Sequence, residues 1–91
     1  MGGERNFDRM CYVYVLYSSK YDRFYISITN DINVRLKTHN SGGVKSTKAY
    51  MPWRVVYKEV YKNKMEARIR EKYLKSAAGR RWRKNNIDKG D

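Results

Sequence analysis

Cysteine, histidine, proline and carboxylates are all scarce in this chain, and most of these scarcities remove a class of function. The single cysteine, Cys11, excludes an internal disulfide. His39 is the only histidine, so a zinc cluster of Cys and His ligands is excluded as well. Cys11 opens an apolar run and reads as a buried, inert thiol. Any metal ion here would be a hard one, held by oxygen ligands and water. Long apolar runs are missing too. The longest, Cys11 to Tyr17, falls well short of the roughly 18 residues that a membrane-spanning helix needs. Met1-Gly2-Gly3-Glu4-Arg5 lacks the apolar stretch of a signal peptide. The expectation is a cytoplasmic protein with no membrane association.

What is abundant is positive charge. Lys and Arg number 21 against 9 acids, a net charge of +12 on 91 residues. Such a field predicts a polyanionic partner, with nucleic acid ahead of an anionic membrane surface. The length allows one domain and one core. A 41% hydrophobic share, with nine tyrosines, is enough to pack that core.

The pattern along the chain predicts an α/β (α+β) domain over residues 10–85. Residues 1–9 form a flexible arm and residues 86–91 a polar tail. Cys11 to Tyr17 is apolar on both faces, as a central strand covered on two sides would be. Phe24 to Ile28 alternates and pairs with it as a hairpin. Thr29, Asn30 and Asp31 offer caps for a first helix that stops at Asn40-Ser41-Gly42-Gly43. A basic connector leads through Pro52 to a third strand, Trp53 to Tyr61. A long helix then starts at Asn63 and runs to about Ala77, with Gly79 as its stop. Arg80-Arg81-Trp82-Arg83-Lys84 follows as a basic tail, with Trp82 expected to cover the core. The order is β-β-α-β-α: a small three-stranded antiparallel sheet flanked by helices.

A few polar residues stand out against this frame. Arg35 and His39 are four apart and share one face of the first helix, where both could hold a phosphate. On a wheel of about 100° per residue, Glu66 falls within the apolar arc of Met65, Ile69 and Tyr73. A carboxylate there needs a partner, a metal or a solvent cleft. Asn63-x-x-Glu66 also has capping-box spacing, so metal ligation and helix capping both remain open for Glu66. Tyr14 and Tyr25 share a face of the hairpin only if paired residue numbers sum to an odd number, with Leu16 opposite Tyr25 and Tyr14 opposite Ser27.

Tyr12-Val13-Tyr14, Tyr25-Ile26-Ser27, Arg35, His39 and Glu66, with Pro52-Trp53 before the third strand, resemble the GIY-YIG nuclease superfamily, in particular its small stand-alone bacterial members. The resemblance covers about residues 11 to 77. It implies a GIY-YIG fold and metal-dependent DNA endonuclease activity with little sequence specificity. By similarity, Tyr14 acts as general base or positions the attacking water, and Tyr25 stands beside it. Arg35 stabilises charge on the scissile phosphate and His39 assists, by hydrogen bonding or as a proton relay. Glu66 is the one protein ligand of a single Mg²⁺ (or Mn²⁺). Two departures are visible: Tyr12 stands where the name-giving glycine falls, and Ser27 replaces the closing glycine of the second triplet.

Lys45 and Lys48 of the connector, Arg70 of the long helix and Arg80, Arg81 and Arg83 of the tail suit sequence-independent phosphate contacts. Nucleic acid, DNA first, is the implied partner. The competing reading is a catalytically weak or inactive nucleic-acid-binding module on the same fold, its site blocked at Ser27. A third is a basic RNA-associated protein, in which the five polar residues need not converge.

Overall fold

A computed structural model describes residues 10–89, so the expected arm at 1–9 lies outside the described residues, as does the end of the tail. Three strands form one antiparallel sheet: β1 (Cys11–Ser18), β2 (Arg23–Thr29) and β3 (Arg54–Tyr61), in the spatial order β2-β1-β3. Helix α1 (Ile32–Asn40) connects the hairpin to a single 3₁₀ turn (Lys48–Tyr50) and then to β3. Helices α2 (Lys64–Lys75) and α3 (Ala77–Asn86) complete the domain. The expected α+β architecture holds, with one helix more than the pattern suggested.

Each boundary has a local cause. Asp31 caps α1 by accepting from the Val34 amide at 3.1 Å, and Asn63 caps α2 by accepting from the Glu66 amide at 2.9 Å. Ser76 closes α2 and caps α3, where its hydroxyl accepts from the Gly79 amide. The break therefore falls at Ser76, and Gly79 does not end a helix. Gly79 is buried within α3, and a Cβ there would lie 2.0 Å from the Tyr73 carbonyl oxygen. Only a residue without a side chain lets α3 fold back so closely on α2.

β1 is buried on both faces, as its composition predicted. Cys11, Val13 and Val15 point to one core cluster with Ile26, Ala67 and Leu74. Tyr14 and Leu16 point to the other with Trp53, and Tyr25, Ile32 and Leu36 pack around it. Trp82 covers the first cluster, edge-on to Tyr57 at 5.5 Å. Ile87, just past α3, packs there too. The two helical layers thus lie on opposite sides of the sheet, α1 over the second cluster and α2 with α3 over the first.

One wheel-based expectation is overturned. Met65 and Ile69 are 70% and 67% exposed, and Ala67, Glu71 and Leu74 are the buried residues of α2. Glu66 therefore belongs to an exposed face, and its backbone amide is held by the Asn63 cap.

Candidate active site

The hairpin register decides which side chains meet. Tyr14 pairs with Ser27 and Leu16 with Tyr25. Every pair in this ladder has the parity that puts Tyr14, Ser27 and Tyr25 on one face of the sheet. Helix α1 crosses that face, and seven residues on from Ile32 (about two turns) its inward side presents His39. His39 is fully buried, and its Nε2 lies 3.1 Å from the Tyr14 hydroxyl. The ring of Tyr25 meets the imidazole edge-on, with centroids 4.9 Å apart. Arg35, one turn before His39 on α1, places its guanidinium beside the Tyr14 oxygen, and the Ser27 hydroxyl stands close to Tyr14 as its cross-strand partner. Tyr14, Tyr25, Arg35 and His39 therefore converge, and Glu66, on the exposed face of α2, does not join them.

The electrostatics follow from burial. Desolvation pushes the Tyr14 phenol above its ordinary value, opposed by the neighbouring Arg35 guanidinium and, less strongly, the Ser27 hydroxyl. Burial pushes His39 below its ordinary value, and the Arg35 charge pushes it the same way. At neutral pH the pair is thus a phenol and a neutral imidazole.

Beside this cluster a groove follows the outer edge of β2, lined by Cys11, Ser27, Arg35, Lys64 and Arg68 among others. Burial keeps the Cys11 thiol protonated, its pKa pushed up. Lys64 and Arg68 mark the side of α2 that borders the groove. At about 100° per residue, Glu71 lies within about 20° of Lys64 around the axis, and Glu66 about 200° away. Glu71 is 8% exposed and is bridged by Arg68 at 3.4 Å and Lys75 at 2.9 Å. The carboxylate on the groove side is therefore Glu71, which the sequence reasoning passed over. An acid flanked by cations at i−3 and i+4 was the signal available in the sequence. Among the described residues no group of three or more His, Cys, Asp or Glu could hold a metal. Glu71 is the oxygen donor present for a hard ion, and both its oxygens are engaged by Arg68 and Lys75, so an ion held there would take the place of those cations.

The model of the GIY-YIG catalytic domain matches residues 10–86. This chain belongs to the GIY-YIG family. A UPF0213 protein of Clostridium perfringens is 43% identical to this GIY-YIG chain over 67 residues, covering 72% of this chain and 71% of the relative. A UPF0213 protein of Bacillus licheniformis is 45% identical over 65 residues, covering 70% and 66%. The solution NMR structure of a UPF0213 protein from Bacillus halodurans matches with a TM-score of 0.50 at 32% identity, covering 84% of this chain and 83% of that one. The resemblance drawn from the tyrosine triplets is thereby confirmed at the level of family and fold.

The basic residues of this GIY-YIG domain divide into groups. Lys45 and Lys48 are exposed on the connector, flanking the buried Thr47. Arg80 and Arg83 line a cleft with Phe24 and Ile87 near the turn end of the hairpin, and Arg81 is exposed. Arg83 is partly committed: its Nε donates to the Leu74 carbonyl at 3.1 Å and its guanidinium covers Phe24. Burial, then the nearby Arg80, pushes its pKa down. Arg70 does not fit the surface expected for it. Its Nε and Nη2 donate to Glu59 at 2.9 and 3.0 Å, and its guanidinium stacks on Trp82. That fork pins α2 to β3.

Proposed function

We propose that this protein is a divalent-metal-dependent endonuclease that hydrolyses phosphodiester bonds in DNA with little sequence preference. The GIY-YIG family is a nuclease family, and a nucleic-acid substrate follows from that membership. The observation that carries the reading to these residues is the buried 3.1 Å contact of Tyr14 with His39, with Arg35 at the same oxygen.

The chemistry assigned to the chain is proton transfer and charge stabilisation. Water attacks phosphorus as its proton passes to the Tyr14 oxygen, and the phenol's own proton passes to His39 Nε2. The new P–O bond forms, the bond to the 3′ oxygen breaks, and that oxygen takes a proton from solvent. A free phenol titrates near ~10, too high to act alone at neutral pH, so the imidazole behind it serves as the final acceptor. Arg35 offsets the negative charge that builds on the phosphate. Glu71, on the groove side of α2, is assigned as the carboxylate that holds Mg²⁺ or Mn²⁺, in place of Glu66. When bound, such an ion supplies Lewis-acid stabilisation of the phosphate and the leaving oxygen. Lys45, Lys48, Arg80 and Arg81 are assigned to the DNA backbone.

The test is plasmid nicking with Mg²⁺ or Mn²⁺, comparing the native chain with Tyr14→Phe. Metal-dependent nicking that disappears in the variant, with DNA binding retained, supports the reading. Equal nicking by both proteins refutes the role of Tyr14.

One observation favours a second reading, a DNA-binding module with little activity. The Ser27 side chain fills the position opposite Tyr14, where the family motif has glycine. Nicking that appears only in Ser27→Gly would decide for it.

A further inference from the structure

The imidazole of His39 has a second partner that the reading above does not use. Its Nδ1 lies 2.8 Å from the Thr47 hydroxyl oxygen, and both residues are fully buried. Thr47 sits in the connector, just before the 3₁₀ turn, and that segment is tied down at several points. The Trp53 indole N–H donates to the Thr47 carbonyl at 2.9 Å. The Asn40 amide both donates to the Trp53 carbonyl at 2.9 Å and accepts from its N–H at 2.7 Å.

A hydroxyl has one proton to donate, and the Thr47 oxygen lies 3.3 Å from the Val44 carbonyl, a group that can only accept. With the Thr47 proton turned to that carbonyl, the shorter 2.8 Å contact is filled by a proton from His39 Nδ1. A neutral imidazole carries one N–H, so Nε2 is then a bare lone pair facing the Tyr14 hydroxyl. The direction of the whole chain follows: Tyr14 O–H to His39 Nε2, His39 Nδ1–H to Thr47, and Thr47 O–H to Val44. Reversing it would put an N–H against the Tyr14 oxygen and leave that phenol with no base behind it.

We propose that Thr47 is a positioning residue that holds His39 in the Nδ1–H tautomer and so makes Nε2 the acceptor of the Tyr14 proton. Its use in catalysis rests on the nuclease reading, but the tautomer does not. Thr47 also stands between Lys45 and Lys48, so the segment assigned to grip the DNA backbone is the one that orients the base.

The test exploits the single histidine in the chain. In ¹⁵N-labelled native protein near pH 7.5, the two imidazole nitrogens can be assigned without ambiguity. A protonated Nδ1 and an unprotonated Nε2 are expected, a native Nε2–H tautomer overturns the proposal, and neither result needs a variant to fold. Thr47→Val should lose this pattern and Thr47→Ser should keep it. An unchanged tautomer in folded Thr47→Val also overturns the proposal. In a cleavage assay Thr47→Val is expected to lose about a hundredfold in rate at unchanged DNA affinity, with rescue by Thr47→Ser. If the native protein does not cleave, the nuclease reading fails and the tautomer measurement still decides the role of Thr47.

Discussion

Tyr14 and His39, twenty-five residues apart in sequence, share a buried contact of 3.1 Å across the interface of β1 and α1. Both are in the core, and neither could be there without a polar partner. Their mutual satisfaction lets a phenol and an imidazole be buried next to Arg35, which lines a groove with Lys64 and Arg68. Structure and chemistry therefore rest on the same pair, and mutations there should report on both.

Protonating His39 opposes the fold and the chemistry together. Burial and Arg35 hold its pKa below the ordinary 6.5, and its partners among the described residues, Tyr14, Tyr25, Thr47 and Arg35, include no carboxylate. The unfolded chain takes up a proton near pH 6.5 that folded His39 still refuses, so unfolding gains protons as pH falls below that value. Stability should decline from about pH 6.5 downward, and His39→Gln should flatten that part of the profile in urea titrations. A stability profile between pH 5 and 7 that is identical in both proteins would rule this out.

Glu59 governs a separate, more acidic window. Burial pushes its pKa up, but Arg70 and the hydroxyls of Tyr57 and Tyr61 outweigh it, so the net shift is downward from 4.5. The stability this contributes is present above about pH 4.5 and is lost as pH falls through the lowered value. Tyr61, partly buried and donating a hydrogen bond to the same carboxylate, is pushed up to about 12. Arg70→Ala should destabilise the domain by about 2–3 kcal/mol, because Glu59 is left partly buried without its cation. DNA affinity at fixed salt should barely change, since Arg70 is committed to Glu59. A weakened affinity with unchanged stability would return Arg70 to the phosphate-binding surface.

Gly79→Ala tests how α3 is seated. An added methyl group would meet the Tyr73 carbonyl oxygen at 2.0 Å and Leu74 Cα at 2.5 Å, both backbone atoms that cannot swing aside. A loss of about 3 kcal/mol is expected in chemical denaturation. A change under about 0.5 kcal/mol would mean that α2 and α3 do not approach so closely.

Much of this domain was legible because strand alternation is a strict code. Apolar residues on both faces of Cys11–Tyr17 marked a central strand, and alternation set the parity under which both tyrosines share a face, a condition that the Tyr14–Ser27 pairing meets. Helix α2 was misread because apolarity does not by itself point inward. Met65, Ile69 and Tyr73 form an apolar stripe that faces solvent, and the small Ala67 with Leu74 turns the helix the other way. That rotation moved the groove-side acid from Glu66 to Glu71. Thr47 was invisible for a different reason. It lies in a connector with no periodicity, and its role depends on the chain folding back onto a histidine eight residues earlier. Gly79 looked like a stop signal, although what it provides is close packing.

The most direct measurement is metal-dependent DNA cleavage by Glu71→Gln and Glu66→Gln side by side, with DNA binding followed in parallel. Glu71→Gln keeps the shape of the side chain and a carbonyl oxygen that still accepts from Arg68 or Lys75, and those two cations are about half exposed, so both proteins should stay folded. Loss of cleavage at unchanged binding in Glu71→Gln, with Glu66→Gln close to native, is the expected result. Full cleavage by Glu71→Gln, or loss in Glu66→Gln alone, would contradict the site as assembled here.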